Sequence, residues 1–218
     1  LWDKGYHYSD LPFIFMQHIL EEKYATPLDQ LFMERIATPL GLVSTLFKPL
    51  KSINKKRIIP SEKDTYFRQQ TLQGHVHDMA AAIQGGVSGH AGLFSNAKEV
   101  ATIMQLYLQK GRYNGKQLFG SATFDQFNQC YYCTEENRRG VGLDKPQAGG
   151  GGMTFHGISF SSFGHSGFTG TYAWADPTTG IVFVFLSNRT FPTMENRKLI
   201  DHSIRPRMLK LVYDAILY

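Results

Sequence analysis

Three short segments of this chain contain residue types that can carry acyl-transfer chemistry. They are Tyr8-Ser9-Asp10, a glycine-rich stretch over residues 85–95 that includes His90, and residues 165–170, which read His-Ser-Gly-Phe-Thr-Gly. Cleavage of an amide or ester by a serine needs a base for the hydroxyl proton and donors that hold the developing oxyanion. A phenol such as that of Tyr8 can serve as base or acid, provided that a cation lowers its ordinary pKa of about 10.

The order of these segments resembles the motif order of penicillin-recognising serine hydrolases. Those proteins combine Ser-x-x-Lys, a second element of the Ser-Asp-Asn or Tyr-x-Asn type, and Lys-Thr-Gly or His-x-Gly on a strand. Tyr8-Ser9-Asp10 looks like the second element, with Asp10 in place of Asn, and His165-Ser166-Gly167 looks like the third in its histidine form. The stretches 39–42 and 91–95 also resemble the family, so the likeness covers nearly the whole chain.

The resemblance implies a role for each residue of these motifs. Tyr8, Asp10 and His165 would be catalytic, with His165 binding the substrate carboxylate or helping to move the proton. Substrate binding would fall to Ser166, Gly167, Phe168 and Thr169. In particular, Gly167 would leave room for substrate beside the strand, and the N–H of Phe168 would be one oxyanion donor.

Within this family, the sequence is most similar to class C-like β-lactamase modules fused to bacterial family 3 glycoside hydrolases. The likeness rests on the segments 124–133, 138–146 and 170–177. No glycosidase carboxylate pair can be assigned in this chain.

The nucleophile is the part of the family pattern that this chain lacks in the expected place. Ser-x-x-Lys should precede Tyr8, whereas the two matches, Ser52 to Lys55 and Ser95 to Lys98, both follow it. Ser52 lies in a charged stretch, and Ser95 is interpreted as a helix N-cap. We therefore expect the nucleophile in an absent upstream segment, and this chain alone to be inactive.

Two functions of different classes are consistent with these motifs. The first is a serine hydrolase module that cleaves an amide or ester, such as a β-lactam, a D-amino peptide or an ester. The alternative is a non-catalytic module that binds cell-wall or glycan ligands beside a glycosidase, an alternative favoured by Asp10 in place of Asn. Either function implies a small-molecule or peptide ligand, and by family analogy a periplasmic or other extracytoplasmic location.

The histidines and cysteines allow a metal site, but the spacing argues for simpler interpretations. His75, His77, Asp78 and His90 include a His-x-His spacing that suits metal, yet Asp78 is interpreted as a helix cap and His90 as a loop residue near the cleft. Cys130 and Cys133 form a lone Cys-x-x-Cys without a second ligand pair, which favours two semi-buried thiols. The sequence therefore predicts no metal and no cofactor.

Composition and charge exclude several other classes of protein. Of 218 residues, 42% are hydrophobic and 19% charged, which is typical of a globular chain rather than a disordered one. The net charge of +5 is scattered, and the one basic run, residues 48–57, has no interleaved aromatic residue. We read that run as a solvated loop, which predicts no nucleic-acid partner. No apolar run is long enough to span a membrane.

Hydrophobic periodicity predicts helices first and strands later, which indicates an α+β fold, β-lactamase/transpeptidase-like, with helices packed on an antiparallel sheet. The predicted helices cover residues 11–25 with Asp10 as a possible cap, 28–37, a short helix from Asp78, one from Ser95 to about 110, 124–127 and 194–218. Residues 48–76 are predicted to be a long surface loop. The predicted strands cover residues 154–160, 163–165, 171–175 and 181–186, within one domain over residues 1–218.

The last predicted strand, residues 181–186, is continuously apolar and should be buried on both faces. In the family such a strand pairs with strands from the N-terminal part. An open apolar edge promotes association unless it is covered. We therefore expect this edge to pair with the missing N-terminal half or with another copy of the chain.

Overall fold

The computed structural model describes residues 6–133, 137–147 and 152–217. These residues form two compact units. The first unit comprises residues 8–99 and 188–196, and the second comprises residues 6–7, 100–187 and 197–217. Helices and antiparallel strands are both present, so the predicted α+β class is confirmed. That residues 1–218 form a single domain stays a prediction.

The first unit is built from short helices and two small strand pairs. Its helical segments are α1 (Leu11–Tyr24), α2 (Leu28–Phe32), a π-helical turn (Met33–Ala37), α3 (Thr38–Leu40) and α4 (Met79–Ile83). Strand β1 (Leu46–Phe47) pairs with β4 (Leu93–Phe94), and β2 (Glu62–Asp64) pairs with β3 (Gln70–Leu72), both antiparallel. Two 3-10 turns, Pro49–Lys51 and Lys55–Arg57, lie between β1 and β2.

Two helix boundaries in this unit differ from the sequence-based expectation. Asp10 precedes α1, but its side chain makes no capping bond; instead Ser9 Oγ accepts from Leu11 N at 3.2 Å. The second predicted helix continues to Leu40 through the π-helical turn Met33–Ala37, in which Thr38 N donates to Met33 O directly before Pro39. Gly41 then ends it in the left-handed conformation, with φ of 69°.

The predicted long surface loop over residues 48–76 is wrong, since it contains a buried hairpin. Leu72 and the two carboxylates Glu62 and Asp64 are almost completely buried. Asp64 accepts hydrogen bonds from the backbone of Tyr66, Phe67 and Arg68 and from the Arg68 guanidinium. The sequence looked polar because these acids are satisfied by neighbouring donors rather than by water.

Glu62 joins this hairpin to the segment 188–196. Its carboxylate lies 3.0 Å from His77 Nε2, accepts from the Tyr66 hydroxyl at 2.9 Å and accepts from Met194 N at 3.3 Å. Thr190 Oγ1 donates to Ser61 O at 2.7 Å. A segment distant in sequence is therefore bound to β2 by buried polar contacts.

The second unit contains the larger sheet. Helix α5 (Ala97–Leu108) begins in the first unit and continues into the second, and it is followed by the hairpin β5 (Arg112–Tyr113) and β6 (Lys116–Gln117) and by α6 (Ser121–Asn128). The antiparallel sheet has the order β7 (Phe163–Ser166), β8 (Tyr172–Asp176) and β9 (Ile181–Phe185). Helices α7 (Lys198–Asp201) and α8 (Ile204–Leu217) complete the unit.

Alternating side chains of the sheet enter two different cores. Tyr172 and Trp174 pack with Leu209 and Tyr213 of α8 on one face. On the other face, Phe163 and Ala175 pack with Met104 of α5 and Phe124 of α6. Both faces of the sheet are thus covered by helices within this unit, but the predicted burial of residues 181–186 on both faces is wrong. The five β9 residues remain only half-buried because, among the described residues, β9 pairs with β8 alone.

Three local predictions in this unit are wrong. Residues 154–160 form turns rather than a strand, and Gly157 there has φ of 93°, which interrupts an extended backbone. The terminal helix is split at Ser203, with φ of 49°, so Pro206 lies in the first turn of α8 and does not kink it. Cys130 and Cys133 form a disulfide instead of two thiols.

Residues 134–136 and 148–151 lie outside the described residues. They include three of the four consecutive glycines 149–152, a run that the sequence predicts to be a turn or hinge. Within the described residues, none of the helices combines the length and apolar character that crossing a bilayer requires.

The buried Asp64 predicts an acid-sensitive first unit. Burial alone would raise its pKa, but the hydrogen bonds from Phe67, Arg68 and Tyr66 outweigh burial and lower the pKa from 3.8 to about 2. A lowered pKa in the folded state stabilises the protein above pH 3.8, and this contribution is lost as the pH falls towards about 2. We expect Asp64→Asn to lower the free energy of unfolding at pH 7 by about 3 kcal/mol, and the difference from the parent to shrink between pH 4 and pH 2.

Urea unfolding at several pH values measures this difference. Asp29→Asn is the matched control, because Asp29 makes a surface ion pair with Lys48 at 3.0 Å and should change stability by only about 0.5 kcal/mol. An Asp64→Asn protein as stable as the control would contradict the proposed contribution of the buried network.

Close packing at Gly164 on β7 predicts that no side chain fits there. A Cβ atom built on Gly164 would lie 2.2 Å from Ala173 O and 2.3 Å from the Trp174 ring. We expect Gly164→Ala to lower the free energy of unfolding by about 3 kcal/mol or to prevent folding. Gly120→Ala is the control, since its nearest neighbour would be Thr123 Oγ1 at 3.7 Å. Thermal melting of both variants tests this, and equal melting temperatures would show that β7 and β8 can separate.

Candidate active site

The first candidate segment, Tyr8-Ser9-Asp10, lies directly before α1 in the first unit. Tyr8 is 62% exposed. Asp10 O accepts the backbone N–H groups of Phe13 and Ile14 at 3.0 and 3.2 Å. The backbone of this segment is therefore fixed by the first turn of the helix.

Helix α1 is in turn held against the glycine-rich loop around residue 89. Gln17 Oε1 accepts from Gly89 N at 2.9 Å. A Cβ atom on Gly89 would lie 2.1 Å from Phe13 O, so only glycine permits this approach of loop and helix. The position of Tyr8 thus depends on a loop that the sequence places about eighty residues away.

The same loop brings His90 to Asp78 and Asp10. Asp78 caps α4 by accepting from Ala81 N at 2.8 Å, as predicted, and its Oδ1 lies 2.9 Å from His90 Nε2. Asp10, Asp78 and His90 each present one atom able to bind a metal within 4.8 Å of the other two. Of the other histidines weighed for metal, His77 lies against Glu62 instead, and His75 is exposed.

Neither serine of the two Ser-x-x-Lys matches is placed as a nucleophile would be. Ser52 is exposed and follows the 3-10 turn Pro49–Lys51 rather than opening a helix. Ser95 does not cap α5, because Asn96 Oδ1 accepts from Glu99 N at 3.0 Å. Ser95 Oγ instead lies 2.7 Å from Thr45 Oγ1, whose own proton is donated to Glu99.

The second candidate segment, residues 165–169, lies at the end of β7 in the second unit. His165 pairs with Ala173 of β8, and its ring nitrogens have two different partners. Nε2 lies 2.7 Å from Arg139 Nη1, and Nδ1 lies 2.8 Å from Ser166 O. Because a guanidinium can only donate and a carbonyl can only accept, His165 carries its proton on Nδ1 and accepts at Nε2.

Arg139 and Asp144 position this histidine, and the sequence interpretation had assigned neither a role. Asp144 is buried, lies 2.9 Å from Arg138 Nη1 and 2.8 Å from Arg139 Nε, and its backbone pairs with Gly164 in both directions. The sequence did contain a signal for this contact: Arg138 and Arg139 precede Asp144 by six and five residues, and the residues between them are apolar or glycine. A buried acid needs such partners.

Two backbone hydrogen bonds close the turn after His165. Gly167 N donates to Thr171 O at 2.9 Å, and Gly170 N donates to Gly167 O at 3.0 Å. A Cβ atom on Gly167 would lie 2.2 Å from Thr171 Oγ1. The Thr171 hydroxyl therefore occupies the space beside Gly167 that was expected to stay open for substrate. Phe168 at the tip of the turn is 60% exposed.

The predicted site residues are thus divided between the units. Tyr8 and Asp10 belong to the first unit, whereas His165, Ser166, Gly167, Phe168 and Thr169 belong to the second. The structure adds Asp78 and His90 beside Asp10, and Arg139 beside His165.

The Arg139 contact predicts which nitrogen of His165 carries the proton. We expect ¹⁵N-labelled imidazole spectra of the parent protein at neutral pH to show the Nδ1–H tautomer of His165. Arg139→Met removes the donor at Nε2 and should introduce the Nε2–H form, whereas Arg139→Lys keeps a cationic donor and should retain the parent signal in part. Finding the Nε2–H form in the parent would contradict the observed geometry.

Comparison with known proteins shows the family to which the chain belongs. The family model described as Beta-lactamase matches residues 2–203. The protein named "Putative D-alanyl-D-alanine carboxypeptidase" from Escherichia coli K12 is 36% identical over 197 residues, which are 84% of this chain and 44% of that protein. The protein of the same name from Salmonella enteritidis is 35% identical over 88% of this chain and 47% of its own length. The chain therefore spans about half the length of the curated relatives it matches.

Solved structures show the same fold at low sequence identity. A β-lactamase from Mycobacterium bovis superimposes with a TM-score of 0.65 at 16% identity, covering 97% of this chain and 64% of that one. A penicillin-binding protein homologue from Caulobacter crescentus gives a TM-score of 0.57 at 18% identity, covering 84% of this chain and 52% of that one. With the family match over most of its residues, the chain belongs to the beta-lactamase family of serine hydrolases.

Proposed function

We propose that this chain is the Tyr8- and His165-bearing part of a serine hydrolase that cleaves amide bonds next to a D-amino acid at the carboxyl terminus of a peptide. The observation that carries the proposal is the 35–36% identity, over 84–88% of this chain, to proteins named as D-alanyl-D-alanine carboxypeptidases. Other acyl substrates of the family, β-lactams and esters among them, share the reacting carbonyl.

In this proposal Tyr8 exchanges the proton of the reaction. Its exposed phenol takes the proton from the attacking hydroxyl and returns it to the leaving amine, as general acid–base catalysis requires. Asp10, two residues later, holds the segment in place. A phenol needs a nearby cation to act at neutral pH, and the lysine of Ser-x-x-Lys supplies that charge in the family pattern.

The His165 segment binds the substrate. A terminal carboxylate is a planar group that a guanidinium can bind through two hydrogen bonds, and Arg139 is directed at His165 Nε2. We assign to Arg139 the recognition of that carboxylate, and to His165, which accepts from Arg139 at Nε2, the positioning of the guanidinium. Ser166, Gly167 and Thr169 would line the extended substrate, and the N–H of Phe168 would donate to the oxyanion.

The proposed nucleophile lies outside this chain. Two facts support this: the Ser95 hydroxyl is hydrogen-bonded to Thr45, and the relatives are about twice as long as the matched region. The upstream half would also supply a strand for β9, whose outer edge is apolar; a second copy of this chain is the alternative partner. By analogy with the family we place the protein outside the cytoplasm.

A second function is favoured by one observation, namely Asp10 at the position where the family has Asn. A module with that change could bind peptidoglycan-like or glycan ligands without cleaving them. The likeness to modules fused to family 3 glycoside hydrolases would suit such a role.

A penicillin that acylates active-site serines tests the proposal. In the full natural chain we expect one adduct per molecule by intact-mass spectrometry, on a serine upstream of Tyr8, and none on the 218-residue chain alone. Tyr8→Phe should slow acylation about 100-fold, because it removes the hydroxyl that accepts the proton. Tyr24→Phe is the matched control, since Tyr24 lies at the other end of α1.

Two other outcomes of the penicillin experiment would contradict the proposal. An adduct on Ser52 or Ser95 would show that the nucleophile was wrongly assigned. A full natural chain that binds D-alanyl-D-alanine peptides without forming an adduct or cleaving them would support the binding module instead.

A further inference from the structure

A cavity of about 600 Å³ lies in the second unit and contains none of the residues assigned to the candidate active site. It is lined by the carboxyl-terminal end of α6, by Cys130 and Cys133, by residues 145–146 and 160–161, and by Arg138. Cavities of this volume accommodate a small organic molecule.

Two positively charged residues are neighbours at this cavity. Lys145 N donates to Arg138 O at 2.8 Å, directly beside the antiparallel bridge between Arg139 and Asp144. Arg138 and Lys145 therefore face each other across two antiparallel segments, and both line the cavity. Like charges placed opposite each other in this way are destabilising, so a negative charge between them would be favourable.

Arg138 is only partly neutralised by its ionic partner. Asp144 Oδ1 lies 2.9 Å from Arg138 Nη1 and 2.8 Å from Arg139 Nε, so two guanidinium groups share one carboxylate. Within the described part of the chain, Nε and Nη2 of Arg138 donate to no other residue, and the side chain is 25% exposed. These N–H groups can therefore donate to a ligand.

Lys145 is a buried cation that, among the described residues, forms no ion pair. The residue is 7% exposed, and its ammonium group donates to two neutral oxygens, Asn128 Oδ1 at 2.8 Å and Ser161 O at 3.1 Å. An ammonium group has three N–H donors, so one is left for a ligand. Burial lowers the pKa of Lys145 to about 8, and a buried charge without a counter-ion is costly.

The carboxylates nearest to this cavity are bound to other groups. Asp125, which lines the cavity, lies 2.9 Å from Lys110 Nζ. Asp176 accepts from the Tyr213 hydroxyl at 2.8 Å and from Thr178 N at 2.9 Å, and its charge acts on Lys145 without an ion pair between them. The described residues around the cavity thus carry an excess of positive charge.

We propose that this cavity binds a small organic anion, with its carboxylate between Lys145 and Arg138 and its apolar part against Phe160 and Pro146. A carboxylate has two oxygens, one for the planar guanidinium and one for the ammonium group. Phe160 lines the cavity and is 70% exposed, so its ring can cover the apolar part of a ligand. The inference goes beyond the proposed hydrolase function and does not rest on it, because this cavity is separate from Arg139 and His165.

Isothermal calorimetry of the full natural chain with sodium benzoate tests the inference, because benzoate joins a carboxylate to an aromatic ring. We expect the parent to bind benzoate and Lys145→Gln to bind it at least about tenfold more weakly. Glutamine removes the charge but keeps an N–H donor for Asn128 and Ser161. Phe160→Ala should weaken binding about fivefold through lost apolar contact, and this variant should fold because Phe160 is exposed.

Lys116→Gln is the matched control, because Lys116 is exposed on β6 and its loss changes the net charge equally; it should bind benzoate as the parent does. Benzyl alcohol, which has the ring without the charge, should not bind. The inference is overturned if the parent does not bind benzoate or if benzyl alcohol binds as tightly. It is also overturned if Arg139→Lys loses binding while Lys145→Gln retains it, which would place benzoate at the proposed substrate site.

Discussion

The buried carboxylate of Asp144 is the contact on which the second unit and its half of the site depend. Its backbone extends the sheet by pairing with Gly164, and its side chain binds Arg138 and Arg139. A buried carboxylate without partners would cost several kcal/mol, so the two arginines are held where Asp144 requires them. Arg139 then donates to His165. The ion pair between Asp144 and Arg139 therefore sets the orientation of His165, a candidate site residue.

The neighbouring Lys145 extends this arrangement of charge inside the protein. Its ammonium group is buried and donates to Asn128 Oδ1 and Ser161 O. Burial lowers its pKa to about 8, although the negative charge of Asp176 acts in the opposite direction. In the first unit, Glu99 shows the converse case: burial alone would raise its pKa, but hydrogen bonds from Thr45, Ser44 and Val43 lower it. In both units these buried polar groups are satisfied by hydrogen bonds to other protein groups rather than by water.

Periodic apolar segments were predictable from the sequence, and polar burial was not. The spacing of apolar residues along the chain predicts the helices α1, α5 and α6 and the strands β7 to β9. The hairpin of Glu62 and Asp64 was read as a solvated loop because the donors that satisfy it come from residues 66–68 and 194, which no pattern links to it. Motif order was sufficient to single out Tyr8 and His165. The approach of Asp10 to Asp78 and His90 depends on tertiary structure and left no signal in spacing. The contact of His165 with Arg139 was signalled only by the two arginines that precede Asp144.

Glycine at position 89 has a consequence for how this protein can change over evolution. The loop and α1 approach so closely that Phe13 O occupies the space of a side chain at residue 89, and Gln17 fastens the two. The contact between α1 and the loop at Gly89 therefore sets the orientation of α1 and of the segment that carries Tyr8. This contact contains no reactive group. Substitution of Gln17 can change the environment of Tyr8 while every motif stays intact, so relatives that share the motifs can diverge in substrate preference.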